Sequence, residues 1–473
     1  MLSPNTEILD SVYARARKAR DSRFDGVFFI AVKTTGIYCR PVCPAKPPLE
    51  RNVEYYSTAV GAVRAGFRPC LRCRPESAPH SPAWQGVQTT LKRAINLIHS
   101  GVLQTDSLEG LAARLGISSR HLRDLFQQSL GVSPKRYAIY HQCMFAKQLL
   151  HNSGLPITDI AFSSGFNSVR RFNEAMQQYI GLSPSQIRKS EVSQNKGLRF
   201  LLSYRTPFVW SHMFEFLKRR VIRGLEWCSD TSYGRSIRYG HGMGYFEVRD
   251  DRKNSRLIVT LEFDQPEGYL SINQRLRQLF DVDADIDTID AHLQSELANV
   301  SKGTNEPLLN YLSGLRIPGI WSTFEAGVRA ILGQQVSVGA AQKLVEILVD
   351  QLGQSLPSRA STKLFPEPED VLNSSLDFFR MPQSRKDTLH RLAQHFIDSP
   401  DPENIDEWLH IKGIGPWTVN YVKLRGIKDP DVWLAGDAGI NNALKEVGDL
   451  GKVEHFSPWR SYLTFQLWNQ LSN

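Results

Sequence analysis

The sequence predicts a multidomain protein, mainly α with α/β parts. Three observations carry that expectation. Two close cysteine pairs are confined to residues 39–73, an internal repeat of 50 residues follows them, and apolar spacing is helical from about Leu308 onward. A length of 473 residues fits three or four domains. Hydrophobic residues at 41% and charged residues at 22% describe globular material with ample core, and no run of ~18 apolar residues exists to form a transmembrane helix. Met1 to Asp10 lacks the apolar stretch and cleavage site of a secretory leader, and six cysteines do not make a disulfide scaffold. A cytoplasmic protein without a membrane partner is expected.

Charge is unevenly placed. Of the formal net +9, residues 1–190 carry +13 and the remaining 283 residues carry −4. A basic first part points to a polyanionic partner.

Four segments follow in order. Residues 1–78 hold the clustered cysteines, and the Pro-containing stretch 78–85 reads as a linker. Residues 86–190 read as short amphipathic helices separated by Gly and Ser-Pro signals, up to a polar boundary at 190–196. Residues 197–304 mix patterns, with strands expected at Phe246–Arg249 and Arg256–Phe263, a helix at Met213–Val221, and a solvated turn and helix start in the acidic run Asp281–Asp290. Residues 305–473 read as all-helical.

The repeat lies in the second segment. Leu111-Ala-Ala-Arg-Leu-Gly116 matches Ile160-Ala-Phe-Ser-Ser-Gly165, and Gly131-Val-Ser-Pro134 matches Gly181-Leu-Ser-Pro184. Each copy reads helix, glycine turn, helix, with second helices over Ser118–Ser129 and Ser168–Tyr179. Arg120 and Arg123 in one copy, and Arg170 and Arg171 in the other, fall on the exposed face near the helix start, where side chains reach bases and phosphates. A helical hairpin of no special function would explain one copy; two copies spaced alike resemble the tandem helix-turn-helix unit of the AraC-type DNA-binding domain.

Cys39-Arg-Pro-Val-Cys43 and Cys70-Leu-Arg-Cys73 offer four soft ligands to one tetrahedral Zn²⁺. By spacing alone, a zinc ribbon that merely holds the segment together is the simpler reading. Cys143 and Cys228 sit on apolar helical patterns and read as buried bystanders. The flanking residues Phe28-Phe-Ile-Ala-Val-Lys-Thr-Thr-Gly-Ile-Tyr-Cys39 and Ala65-Gly-Phe-Arg-Pro-Cys70 resemble the N-terminal domain of the Ada family. That resemblance implies zinc on Cys39, Cys43, Cys70 and Cys73, methyl transfer from a DNA methylphosphotriester to Cys39, and backbone contacts from Thr35, Lys46 and Arg68. It also implies promoter activation, with RNA polymerase as partner.

In the last segment, Leu409-His-Ile-Lys-Gly413-Ile-Gly415-Pro-Trp417-Thr418 reads as a helix-hairpin-helix, whose glycines bring backbone N–H groups to a phosphate. A Gly-x-Gly alone often marks only a turn. Here an isolated acid, Asp437, follows, in the pattern of the helix-hairpin-helix DNA glycosylase superfamily. Gly319–Val338, Pro458–Tyr462 and Trp210–Leu217 resemble the AlkA family over residues 197–473. The resemblance implies excision of alkylated bases (the 3-methyladenine and 7-methylguanine class) from double-stranded DNA by base flipping. Asp437 would be the catalytic carboxylate, with Trp417, Tyr421, Trp468 and Phe216 as the base pocket, and Gly413, Gly415, Thr418, Gln334 and Gln335 as DNA contacts. A monovalent cation at the hairpin belongs to the same expectation. An electron-rich slot favours a cationic base. No cysteine follows Cys228, so the four-cysteine iron–sulfur cluster of the endonuclease III branch is not expected, and Trp417 replaces the Schiff-base lysine of strand-cutting relatives. The Pro-Cys-His-Arg signature of full-length Ada is absent, so transfer from alkylated guanine oxygen is not expected. Departures from the AlkA pattern are Gly436 before the catalytic acid, Gln335 at the wedge position and Asn469 after Trp468. The alternative to excision is a methylation-responsive regulator whose last domain binds DNA without removing bases.

Overall fold

The computed structural model describes residues 4–471 apart from 22, 23, 26, 71, 74, 76–87, 100, 189–197, 302–307, 400 and 449. Both expected linkers, 78–85 and 190–196, fall outside the described residues. The chain forms two compact units: residues 1–206 with 251–277 and 282–285, and residues 207–250 with 278–281 and 286–473.

In the first unit, helix α1 (Pro4–Ala19) precedes a small sheet in the order β3 (Val53–Tyr56), β1 (Phe29–Val32), β2 (Ile37–Cys39), β4 (Arg68–Pro69), with α2 (Ala59–Arg64) before the last strand. All four residues of β1 are buried because it is covered on both faces. Phe29 and Ala31 pack with Tyr38 and Ala62, while Ile30 and Val32 pack with Phe28 and Ala16.

The helical part follows as α3 (Gln88–His99), α4 (Val102–Thr105), α5 (Leu108–Arg114), α6 (Ser119–Leu130), α7 (Pro134–Asn152), α8 (Ile157–Ser163), α9 (Val169–Ile180) and α10 (Pro184–Ile187). The 50-residue repeat is a repeat of helix ends. Ser118 and Ser168 cap α6 and α9, Gly131 and Gly181 close the same helices at φ 72° and 71°, and Ser133 and Ser183 cap the next ones. Each serine hydroxyl accepts a main-chain N–H that the first turn leaves unpaired. Strand β5 (Leu198–Ser203) then pairs antiparallel with β9 (Arg256–Phe263) over six residues.

In the second unit, α11 (Trp210–Lys218) precedes the antiparallel strands β6 (Glu226–Cys228), β7 (Ser232–Tyr239) and β8 (Gly242–Asp251). Helix α12 (Tyr269–Leu279) passes from the first unit into the second. The helical remainder comprises α13 (Ile286–Val300), α14 (Thr323–Leu332), α15 (Val338–Leu352), α16 (Pro368–Leu372), α17 (Gln383–Asp398), α18 (Pro416–Arg425), α19 (Ala438–Val447) and α20 (Arg460–Gln470). Its core gathers Val328 and Ile331 of α14, Leu348 of α15 and Leu392 of α17 around the fully buried Trp408.

Three expectations need correction. The last segment is not all-helical, because β10 (Ser355–Leu356) and β11 (Arg359–Lys363) form a small hairpin within it. Cys143 is buried on α7 as expected, but Cys228 lies half-buried on a strand. The acidic run is not solvated: Asp281 accepts from the Tyr462 hydroxyl at 2.9 Å and pairs with Lys428, Asp285 pairs with the buried Arg205 at 2.6 Å, and Asp290 accepts from Tyr311, Ser313 and the Gly314 amide.

Candidate metal centre and nucleic-acid sites

The four cysteines meet because β2 and β4 pair in parallel, Ile37 opposite Arg68 and Tyr38 opposite Pro69. That register places Cys39 and Cys70 at the same end of the sheet, and the Cys70 amide donates to the Tyr38 carbonyl at 2.9 Å. Tight turns then return Cys43 and Cys73, so that all four sulfurs lie within 4.8 Å of one another. Four sulfurs about 2.3 Å from a tetrahedral Zn²⁺ stand about 3.8 Å apart. The donor set and its spacing therefore fit one zinc ion. The Cys39 thiol is pushed up from its ordinary pKa, first by its hydrogen bond to Cys43, whereas Cys70 is pushed down, first by Cys39.

Cys70 and Cys73 are buried; Cys39 and Cys43 are half-buried, so the expected acceptor is one of the two accessible sulfurs. The Arg40 amide donates to Cys73 Sγ at 3.3 Å, and its guanidinium is held by Asp25, Nε to Oδ1 at 2.7 Å. Beneath the cluster the buried Lys147 of α7 donates to the Cys70 carbonyl at 3.2 Å. A cleft of about 570 Å³ opens beside Cys39. Thr35, Lys46 and Arg68, the three expected contacts, all line it, together with Arg20 and Arg72 and, among the described residues, no acidic one.

The expected arginines of the paired helical units, Arg120, Arg123, Arg170 and Arg171, are all exposed on α6 and α9. Two of them sit on carboxylates, Arg123 with Glu109 at 3.2 Å and Arg170 with Glu174 at 3.0 Å. Exposed pairs of this kind are worth about 0–1 kcal/mol, so a phosphate displaces them at little cost.

In the second unit Asp437 is the N-cap of α19, its Oδ1 accepting from the Ile440 amide at 3.0 Å. Trp468 Nε1 donates to the same oxygen at 3.0 Å, and Trp417 Nε1 donates to Oδ2 at 3.2 Å. Trp417 stacks on Tyr421 with ring centroids 5.3 Å apart. Phe216 joins through Phe465, which packs on Trp468 at 5.0 Å and on Phe216 at 5.6 Å. Expected carboxylate and aromatics thus form one chain of contacts.

Phe216 is covered in a way the sequence pattern did not show. Arg220 lies 3.8 Å from its ring centroid and the buried Arg425 lies 4.8 Å away. Burial, and next the Arg425 charge, bring Arg220 down to about 10. The four-residue interval between Phe216 and Arg220 was the available signal.

The hairpin residues divide by role. Gly413 has φ +99°, and a Cβ there would stand 2.0 Å from Thr388 Oγ1. Gly415 is the extended N-cap of α18 and nothing crowds it, which leaves the helix start open to a phosphate. Thr418 is buried, and its Oγ1 accepts from Gln334 Nε2 at 3.2 Å. The Thr418 side chain therefore braces the turn instead of facing DNA. Gln335 is exposed, at φ 56°.

With this geometry in view, the chain's relatives are informative. A "Probable bifunctional transcriptional activator/DNA repair enzyme AlkA" of Mycobacterium tuberculosis (strain CDC 1551 / Oshkosh) is 32% identical over 483 residues, spanning 97% of this chain and 96% of that protein. The chain belongs to the Ada–AlkA family of bifunctional activator and repair proteins. Within this family its parts match separate models: the metal binding domain of Ada over residues 13–76, a helix-turn-helix domain over 111–190, and the AlkA N-terminal domain over 199–322. Other relatives align with one part of the chain each. The "DNA-3-methyladenine glycosylase 2" of Escherichia coli (strain K12) is 29% identical over 283 residues, covering 57% of this chain and 96% of that protein. The "Bifunctional transcriptional activator/DNA repair enzyme Ada" of the same organism is 34% identical over 187 residues, covering 39% of this chain and 50% of that protein.

Proposed function

We propose that the protein is a DNA alkylation repair enzyme and damage-activated transcription factor in one chain. It removes alkylated bases as a monofunctional glycosylase, and it takes methyl groups from DNA methylphosphotriesters onto Cys39. One observation carries the excision reading: the Asp437 carboxylate is fixed by the indole N–H groups of two pocket tryptophans.

Excision breaks the bond between C1′ and the base nitrogen. An N3- or N7-alkylated purine is cationic, leaves with the bonding electron pair, and departs neutral. Positive charge then develops on the sugar, where a fixed carboxylate is most useful because it needs no reorganisation. Oδ1 already accepts from the Ile440 amide and Trp468, whereas Oδ2 keeps acceptor capacity beyond its bond to Trp417 and can also take a proton from the water that adds to C1′. The flipped base stacks on the Trp417–Tyr421 platform.

In methyl transfer, Cys39 Sγ forms a bond to the methyl carbon as the carbon–oxygen bond breaks, and the electron pair leaves with the phosphodiester anion. Zinc, when bound, supplies the positive charge that keeps the thiols deprotonated at neutral pH. The triester itself is uncharged, so it approaches the sulfur cluster without repulsion while Lys46, Arg68 and Arg72 hold the neighbouring phosphates. Alkylation removes one negative charge from the cluster and thereby favours DNA. The adjoining helical pair carries that change to promoter DNA, with RNA polymerase as the partner.

Duplex DNA bearing 3-methyladenine or 7-methylguanine should release free base with the wild-type chain. A protein that binds promoter DNA yet releases no base would be a regulator only. Radiolabelled methyl should pass from methylated DNA to the protein, and label retained by Cys39→Ala would sink the acceptor assignment.

A further inference from the structure

One face of α17 grips both turns that surround the hairpin. Arg385, Thr388 and Arg391 are spaced three apart and share a stripe of that helix. Arg385 Nη2 donates to the Gln334 carbonyl at 2.8 Å, and Arg391 Nη1 donates to the Lys412 carbonyl at 3.3 Å. Thr388 fills the space against Gly413. Gln334 closes the circuit, its amide donating to the Gly413 carbonyl at 3.1 Å and to Thr418 Oγ1 at 3.2 Å. The next residue, Gln335, is held in the left-handed region, which strains a non-glycine residue. Residues 335–340 are all exposed. Arg385 is half-buried and makes no ion pair among the described residues; its guanidinium bonds to this carbonyl.

We propose that Arg385 is a positioning residue for base extrusion. By holding the Gln334 carbonyl it keeps the Gln335 turn preformed and at a fixed offset from the hairpin. Gln335 then enters the duplex without first having to adopt its strained backbone. A misplacement of about 1 Å in such a group can cost about 100-fold in rate. This inference rests on the excision reading above.

The test uses the full chain, with Arg385→Met and Arg385→Lys beside wild type. Single-turnover release of 7-methylguanine is measured from a paired duplex and from one with the lesion opposite an abasic-site analogue, where unpairing is already complete. Arg385→Met should slow the paired substrate about 10- to 100-fold and the unpaired one less than about 3-fold. Arg385→Lys, which still offers a donor, should recover most of the loss. Fluorescence of 2-aminopurine next to the lesion reports extrusion independently of chemistry and should fall in Arg385→Met. Equal slowing on both substrates, or an unchanged fluorescence signal, overturns the proposal. So does weaker binding to undamaged DNA with a salt slope reduced by about one, because that marks a direct phosphate contact. If wild type releases no base, the excision reading fails while the fluorescence arm still decides the role of Arg385.

Discussion

Replacing Asp437 with Asn separates the carboxylate's structural work from its chemical work. Asn keeps Oδ1 for the Ile440 amide and for Trp468 Nε1, both at 3.0 Å in the native protein, and Asn caps a helix as well as Asp does. The other end of the amide then turns an N–H group toward Trp417 Nε1, which now donates to Oδ2 at 3.2 Å. One charge-assisted hydrogen bond is lost, worth about 1.5–3 kcal/mol, and water at this half-buried site recovers part of it. The net cost is about 1–2 kcal/mol, or a fall in Tm of about 2–6 °C for a unit of this size. The chemical cost is larger. Removing one group that stabilises developing charge lowers a rate by about 100- to 1000-fold. Single-turnover release of 7-methylguanine should therefore collapse while the protein stays folded and binds lesion DNA at least as tightly. Release within about threefold of wild type by a folded Asp437→Asn protein would refute the reasoning, as would a loss explained entirely by weaker binding.

Other consequences can be checked separately. Gly413→Ala must adopt φ +99° and meet Thr388 Oγ1, so excision and lesion binding should drop at least about 10-fold, and adding Thr388→Ala should restore part of the loss in the same assay. Glu325 is fully buried between Arg235 and Arg329; burial raises its pKa, but the two guanidiniums outweigh that and hold it below the ordinary 4.5. The stabilisation is therefore complete above pH ~4.5 and is lost as pH falls through the lower folded value, which acid unfolding followed by fluorescence will show. Glu325→Gln leaves Arg235 and Arg329 with Glu226 as the carboxylate they share and should cost at most about 3–5 kcal/mol at pH 7. Removing zinc with a chelator should lower the melting temperature of the first unit, and since Lys147 ties Cys70 to α7, the helices should lose hydrogen-exchange protection together with the small sheet.

Legibility in the sequence followed the length over which a signal extends. The two cysteine pairs and the 50-residue repeat rest on residue types recurring at fixed spacing, and Asp437 on its place behind the hairpin, whose Trp417 the structure sets against it. Features set by a distant partner were not legible. The run Asp281–Asp290 looks solvated on its own, since its partners Arg205, Lys428 and Tyr462 lie far away in sequence. The β2–β4 pairing that joins the cysteines involves a strand of two residues, too short for alternation to show. Thr418 stands within a DNA-binding motif, yet its burial beneath Gln334 follows from the packing of α14 against α18. Phe216 was expected to face a cationic base; only the folded arrangement reveals Arg220 and Arg425 against its ring.

Helix α7 has a consequence for how the basic half meets its target. It spans 19 residues, about 28 Å, between the two helix-turn-helix copies, from its N-cap Ser133 to its C-cap Ser153. A rod of that kind sets phase as well as distance. One residue inserted within it turns everything beyond by about 100° and advances it about 1.5 Å. On a duplex with ~10.5 base pairs per turn, that rotation equals the twist of about three base pairs. With both copies on one duplex, the length of α7 is therefore constrained along with its buried stretch Cys143–Leu150.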